Sequence, residues 1–277
     1  MFNDSVLACL QDVSRNICVL TGAGISADSG IPTFRGAEGY WTVGSKVYMP
    51  EKMATRQMFQ LDPLLVWEWY LYRLGVCFRA KANAGHLAIA SMEKSLSNRF
   101  TLITQNIDNL HIRAGNSPQR TFQIHGNIGL SRCSQSCVPE LFKLPASLFS
   151  ACKNQSLSET EQKMLRCHYC KSWLRPHVLW FDECYDEEYF RFDSSMNIAA
   201  KTDLLIIVGT SGSTTLPNHV TNLALRNNAC IVDINPEDNP FSEIAVNSPG
   251  GMVFRRPASE VLRQLADCCP TPAVKDA

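Results

Sequence analysis

The stretch NICVLTGAGISADSG, Asn16 to Gly30, decides the fold. Its first half is apolar at consecutive positions, Ile17-Cys18-Val19-Leu20, and ends abruptly in Thr21-Gly22-Ala23-Gly24. An unbroken apolar run, rather than an alternating one, is expected of a parallel strand covered on both faces. In the turn that follows, Gly22 permits a tight bend. Gly24 lets backbone N–H groups approach a phosphate at a helix start, with Ala23 and Ser26 beside it. Gly-Ala-Gly alone leaves nucleotide binding open, because many strand-to-helix turns carry two glycines.

The same grammar recurs outward from this stretch. RFTLIT leads into Gln105-Asn106-Ile107-Asp108, DLLIIVG (Gly209) leads into Thr210-Ser211-Gly212, and ACIVDIN ends at Asn235-Pro236. The intervening segments 85–96 and 217–227 have helical spacing and length. Alternating strands and helices predict an α/β fold with a doubly wound parallel sheet. Its ligand crevice lies beyond the carboxyl ends of the strands, where these polar turns converge. The glycine spacing departs from G-x-G-x-x-G, and no acidic residue ends a strand ~20 positions on. The expectation is therefore a Rossmann-like sheet without an ordinary hydride-transfer site. Two stretches break the alternation: 43–83 is helical without a strand, and 127–178 carries cysteine pairs in polar sequence. Both read as insertions forming a smaller module. The expected division is 1–42, 84–126 and 179–277 for the nucleotide-binding domain, with 43–83 as the helical part and 127–178 as the metal-binding part of the small domain.

Composition narrows the class. The chain has 277 residues, 45% hydrophobic and 19% charged, with a formal net charge of zero. Nothing in that balance favours nucleic acid or an anionic membrane as partner. No apolar run approaches the ~20 residues needed to span a bilayer. The N-terminal MFNDSVLACLQDVSRN reads as a surface helix rather than a targeting segment. Among twelve cysteines, Cys9, Cys18, Cys77 and Cys230 lie in apolar surroundings and read as buried thiols. A reducing cytoplasm is the expected location. Cys133-x3-Cys137 and Cys167-x2-Cys170, 29 residues apart, form the four-thiolate pattern of a tetrahedral structural zinc. Two disulfides are the alternative, and Cys152 or His168 could substitute as a ligand.

The remaining candidates are polar residues in costly places. GIPTFRGAEGYW offers Phe34 as an aromatic lid and Arg35 as a phosphate partner. Amides and a carboxylate at Gln105, Asn106 and Asp108 follow a buried strand, where recognition of a carboxamide and a ribose, or capping of a helix, would justify them. His125 has an imidazole suited to acid–base work near neutral pH. Together GAGISADSGIP-FR, TQNID, HGN, RPHVLWF and GTS, in this order from about Asn16 to Ala258, resemble the sirtuin family of NAD-dependent protein lysine deacylases. The resemblance implies a Rossmann-like domain with a zinc-binding insert, NAD as co-substrate, and acyl-lysine proteins or peptides as partners. In that chemistry the acyl oxygen displaces nicotinamide from NAD, a histidine deprotonates the ribose hydroxyls, and 2′-O-acyl-ADP-ribose leaves. By resemblance His125 is that base. NAD would contact Gly22, Ala23, Gly24, Ser26, Phe34, Arg35, Tyr40, Trp41, Gln105, Asn106, Ile107, Asp108, Gly209, Thr210, Ser211, Asn235 and Ala258. The segment Val178 to Glu183, including Phe181, would pair with the substrate peptide. Thr33 and Asp182 depart from the aspartate and glycine common in the family, and the first cysteine spacing is one longer than usual.

VWEWYLYR, Val66 to Arg73, places Tyr70 and Arg73 on one helix face. Trp67 and Trp69 are expected to point elsewhere and pack the helix down. Within the family, Tyr-x-x-Arg here resembles the branch that prefers succinyl and malonyl groups, so both residues are expected at the acyl carboxylate. Two rivals stay open: an ADP-ribosyltransferase or NAD glycohydrolase using the same crevice, and a non-catalytic NAD-sensing module.

Overall fold

A computed structural model describes residues 1–31, 50–150 and 156–271. Phe34, Arg35, Tyr40 and Trp41, together with Thr33 and Cys152, lie outside the described residues. The strands, in chain order, are β1 (Ile17–Thr21), β2 (Phe100–Thr104), β3 (Thr121–Gln123), β4 (Gly126–Cys133), β5 (Leu141–Lys143), β6 (Leu174–Val178), β7 (Leu204–Val208), β8 (Cys230–Ile234) and β9 (Met252–Phe254). Among the described residues, six form one sheet in the order β3-β2-β1-β7-β8-β9, parallel throughout. β1, β2, β7 and β8 are buried at every position, as their unbroken apolar sequence requires. The helices Ala84–Leu96 and Ala258–Asp267 cover one face; Phe192–Ala199 and Thr215–Arg226 cover the other.

This strand order reverses direction between β1 and β7, and a crevice must open beyond their carboxyl ends. What holds the two turns there is direct backbone contact. Gly22 N donates to Val208 O at 2.9 Å, and Gly24 N donates to Gly209 O at 2.8 Å. Gly22 itself is extended (φ −118°, ψ −170°), so glycine is needed there for proximity and not for a bend. A Cβ on Gly22 would lie 2.7 Å from Gly209 O, and one on Gly24 would lie 2.6 Å from Gly209 Cα. The Gly24 N–H is therefore taken up by the neighbouring turn. The segment that follows, Ala23–Ser29, is a 3₁₀ helix ended by left-handed Gly30 (φ 77°).

The second sheet is antiparallel, β5-β4-β6. It shares one core with the helices Arg56–Leu61 and Pro63–Arg79. That core includes Trp67, Leu71, Leu148, Leu165, Leu174 and Trp180. The segment 127–178 thus supplies more apolar packing than its polar composition implies. Proline at the first turn and Asp62, which accepts from Leu65 N at 3.0 Å, start the helix Pro63–Arg79. Among the described residues no helix is long and apolar enough to cross a membrane.

Because both walls of the Gly24–Gly209 contact are backbone, a methyl group there cannot be relieved by a rotamer change. Gly24→Ala is expected to destabilise the protein by about 1–3 kcal/mol, the usual range for overpacking. Urea denaturation measures it, and an unchanged midpoint would show that the two turns separate freely.

Candidate functional site

The polar turns after β1, β2, β7 and β8 meet as the topology requires. Gln105 Nε2 donates to Thr210 Oγ1 at 2.8 Å and to Thr21 O at 3.3 Å, and its Oε1 accepts from Thr214 at 3.1 Å. Asn235 Nδ2 donates to Thr210 O at 3.0 Å. Thr210 is buried, while Ser211 bonds the exposed Ser213. Ala258 begins the helix Ala258–Asp267, whose Ser259 reaches back to Asp28 at 2.7 Å. This last contact ties that helix to the 3₁₀ segment after β1.

Under the crevice floor lies a sequestered polar cluster. Ser26 Oγ donates to Asp108 Oδ2 at 2.7 Å and accepts from Asn106 Nδ2 at 3.2 Å; Asn106 also donates to Gly22 O at 3.0 Å. Ser26, Asn106 and Asp108 are all buried. Burial raises the Asp108 carboxyl above its usual range, against hydrogen bonds from Leu110 N and Ser26 that lower it. Asp108 Oδ1 accepts from Leu110 N at 2.9 Å, so one oxygen serves the start of the helix Leu110–Ala114 and the other faces Ser26. Both readings of that carboxylate, capping and recognition, are thus compatible. Ile107 accepts from Ile128 N at 2.9 Å and packs against the second core.

Two histidines that no sequence motif singles out line the same cluster. His86 Nε2 is 3.5 Å from Ser26 Oγ, and His111 Nε2 is 3.0 Å from Thr21 Oγ1. Their rings are 4.8 Å apart and fully enclosed. Burial drives the His86 imidazole down to about 4 and His111 well below its ordinary value. Both are therefore neutral at physiological pH and act as dipoles rather than charges. Nothing local marks them: each sits on a helix whose other buried residues are mostly apolar.

His125 stands between β3 and β4. Its Nδ1 is 2.9 Å from the carbonyl of Gln105 and its Nε2 is 2.8 Å from the Tyr185 hydroxyl. A carbonyl only accepts, so Nδ1 carries the proton and Nε2 the lone pair. Desolvation pushes this imidazole down to about 4, although the Gln105 carbonyl works in the opposite direction. The ordinary imidazole value is about 6.5. The folded protein instead presents a ring that is neutral throughout the physiological range. Gly126, at φ 87°, lets β4 lie against β6 here; a Cβ would sit 2.1 Å from His177 O. Asn127 and Asn109 join at 2.9 Å behind it.

The segment after β6 carries the expected peptide-contacting residues. Val178 is buried and paired with Gly126, whereas Phe181 is 59% exposed. Phe181 N donates to Ala54 O at 3.0 Å. Asp182, the departure from glycine, accepts from Arg56 N at 2.7 Å and Gln57 N at 3.1 Å. Its carboxylate thereby binds the first amides of the helix Arg56–Leu61, a favourable place for negative charge. Glu183 is gripped by Arg175, with Nη2–Oε2 at 2.8 Å. Burial raises that carboxyl, but Arg175 outweighs it and holds it below its usual range.

Tyr70 and Arg73 are 2% and 4% exposed, which rules out an ordinary solvated helix face. Tyr70 Oη accepts from Trp180 Nε1 at 3.0 Å. Burial pushes its hydroxyl up to about 12, with Arg73 pulling down. Trp67 packs inward as expected and donates to Leu174 O at 2.8 Å. Trp69 does not point elsewhere: its ring lies 4.7 Å from that of Tyr70, and the Arg73 guanidinium sits over it at 4.0 Å. Position 69 is adjacent to 70 and four before 73, so one large indole reaches both.

Cys133, Cys137, Cys167 and Cys170 converge with all four Sγ atoms within 4.8 Å of one another. Contacting pairs are 3.4, 3.5 and 3.6 Å apart. A tetrahedron with Zn–S bonds of about 2.3 Å has S···S edges of about 3.8 Å, so the set fits a single structural zinc. Disulfides are excluded at these separations, since an S–S bond is about 2.05 Å. His168 instead faces the Phe142 ring. Purified protein is expected to carry about one zinc per chain, and Cys137→Ala to lose it and melt earlier. Metal analysis and thermal denaturation check both, and metal-free protein of full stability would refute the assignment.

Comparison with known proteins agrees with this geometry. The Sir2 family profile matches residues 22–215. A NAD-dependent protein deacylase from Leptospira interrogans is 41% identical over 261 residues, covering 93% of this chain and 96% of the relative. A Sir2 homologue in complex with NAD superposes with a TM-score of 0.76 at 33% identity, covering 96% of this chain and 93% of that one. A mutant Sir2 homologue bound to ADP-ribose gives 0.78 at 33% identity, covering 96% of both. The chain belongs to the Sir2 family.

Proposed function

We propose that this Sir2-family chain is an NAD-dependent protein lysine deacylase whose acyl pocket takes acidic acyl groups, such as succinyl and malonyl, ahead of acetyl. NAD, as co-substrate, supplies the electrophilic ribose carbon. Asn106 and Asp108 recognise its carboxamide and Gln105 its ribose; Gly22, Ser26, Gly209, Thr210 and Asn235 line the crevice for the rest. His125, neutral and with its lone pair on Nε2, accepts a ribose hydroxyl proton. A desolvated base whose conjugate acid is disfavoured stays ready at neutral pH without prior deprotonation.

The observation that supports the acyl preference is the buried Tyr70–Arg73 pair beside Trp180. Tyr70 accepts from the indole, which uses a lone pair and leaves its proton to donate. Its raised pKa keeps that proton in place. Arg73, held flat over Trp69, has its fork oriented before substrate arrives. A carboxylate meeting both donors would gain charge-assisted bonds worth about 1.5–3 kcal/mol, a factor of about 10–100. Simple ADP-ribosyl transfer requires no base for the ribose hydroxyls, so His125 weighs against that rival.

Arg73→Met removes the fork and keeps a flexible stem. Succinyl-lysine turnover is expected to lose about 10–100-fold, chiefly through a raised KM, while acetyl-lysine turnover holds or rises. The kcat/KM ratio for the two acyl peptides is the deciding quantity, and an unchanged ratio sinks the acyl assignment. His125→Ala is expected to lower deacylation by about 10²–10⁴-fold while nicotinamide exchange into NAD persists. Attachment of ADP-ribose to unmodified protein, without deacylation, would favour the transferase instead.

A further inference from the structure

Tyr185 belongs to none of the expected site residues, yet its hydroxyl is 2.8 Å from His125 Nε2. Its ring stacks on the imidazole, with centroids 5.9 Å apart and planes 30° apart, and on Phe192 behind it at 6.0 Å and 27°. The polarity of the contact is determined. Nδ1 donates to the Gln105 carbonyl, so the neutral ring offers Nε2 only as an acceptor and the phenol must donate. Burial raises that phenol to about 12, and it keeps its proton. The Thr214 side chain lies beside the same hydroxyl and donates to Gln105 Oε1 at 3.1 Å. A polar ring therefore runs from His125 through Tyr185, Thr214 and Gln105 back to His125.

An imidazole nitrogen has one lone pair. A hydroxyl of the NAD ribose that is to lose its proton to His125 must donate to that same Nε2. Tyr185 already makes this contact with the same chemical group and the same polarity. We propose that Tyr185 is a latch on the base: its hydroxyl stands in for the ribose hydroxyl at Nε2 and is displaced toward Thr214 when NAD binds. The proposal rests on His125 being the base that meets the ribose. Tyr185 thus tunes NAD affinity, because each binding event exchanges one hydrogen bond at Nε2 for another. It also shields an otherwise reactive nitrogen from solvent electrophiles until NAD arrives.

Tyr185→Phe removes the hydroxyl and keeps the aromatic stack. A neutral hydrogen bond contributes about 0.5–1.5 kcal/mol, so Kd for NAD is expected to fall about 2–10-fold. In NAD-free, zinc-loaded protein, Nε2 of His125 should be acylated by diethyl pyrocarbonate faster in the variant, as read by peptide mass mapping. Wild-type protein protected by NAD gives the baseline, and melting temperature confirms the fold. An equal or higher Kd, or equal or slower acylation at His125, overturns the latch. The two readings fail separately. If wild-type protein binds NAD but releases no acyl group from any lysine peptide, the deacylase reading falls and the latch can still pass both measurements.

Discussion

Two backbone turns in direct contact at the centre of the sheet set the position of everything else in the site. The turn after β1 and the turn after β7 meet glycine to glycine, with Gly24 N bonded to Gly209 O at 2.8 Å. Gly209 adopts φ 58° and has no room for a Cβ, which would lie 2.6 Å from Ile25 N. Side chains at these positions would push the turns apart. Gln105 would then lose its bridge between Thr21 and Thr210, and Ser26 would lose the Asp108 carboxylate. The glycines matter less as conformational hinges than as the absence of bulk. That absence lets two strands of opposite winding deliver their polar ends to one place.

The second constraint is desolvation. Asp108, His86, His111 and His125 are placed where water does not compensate charge, and each shifts toward its neutral form. Uncompensated, such groups would be strongly destabilising. Here the Ser26 hydroxyl, the Asn106 amide and the Leu110 N–H satisfy the carboxylate and the side chains around it. The result is a cluster of dipoles with little net charge.

Legibility in the sequence followed the length scale of each feature. The long buried strands β1, β2, β7 and β8 declare themselves because an unbroken β-branched apolar run needs cover on both faces. The four cysteines do so because metal chemistry restricts spacing. β3 and β9, three residues each, are too short to carry a period. The β4–β6 pairing is interrupted by a register shift between Gly126 and Ser131, which masks alternation in 127–178. Side-chain roles that depend on distant chain segments were hidden altogether. Trp69 beneath Arg73, Asp182 on the amides of Arg56 and Gln57, and Tyr185 on His125 each depend on a folded geometry that no local pattern encodes.

Trp180 shows how the metal-binding module connects to Tyr70. Its indole N–H donates to Tyr70, its face carries the Arg175 guanidinium at 3.5 Å, and its ring meets Phe59 at 5.3 Å. Its backbone N–H goes to Glu183 at 3.1 Å, the same carboxylate that Arg175 holds. Arg175 lies on β6, one residue past Leu174, which pairs with the zinc-ligating Cys133. An ion that fixes Cys133 against Cys167 and Cys170 therefore fixes the register of β6. Through Arg175 and Trp180 that register sets where the Tyr70 hydroxyl points. Loosening the metal cluster would therefore disturb the Tyr70–Trp180 contact before it disturbed the parallel sheet, whose core is separate.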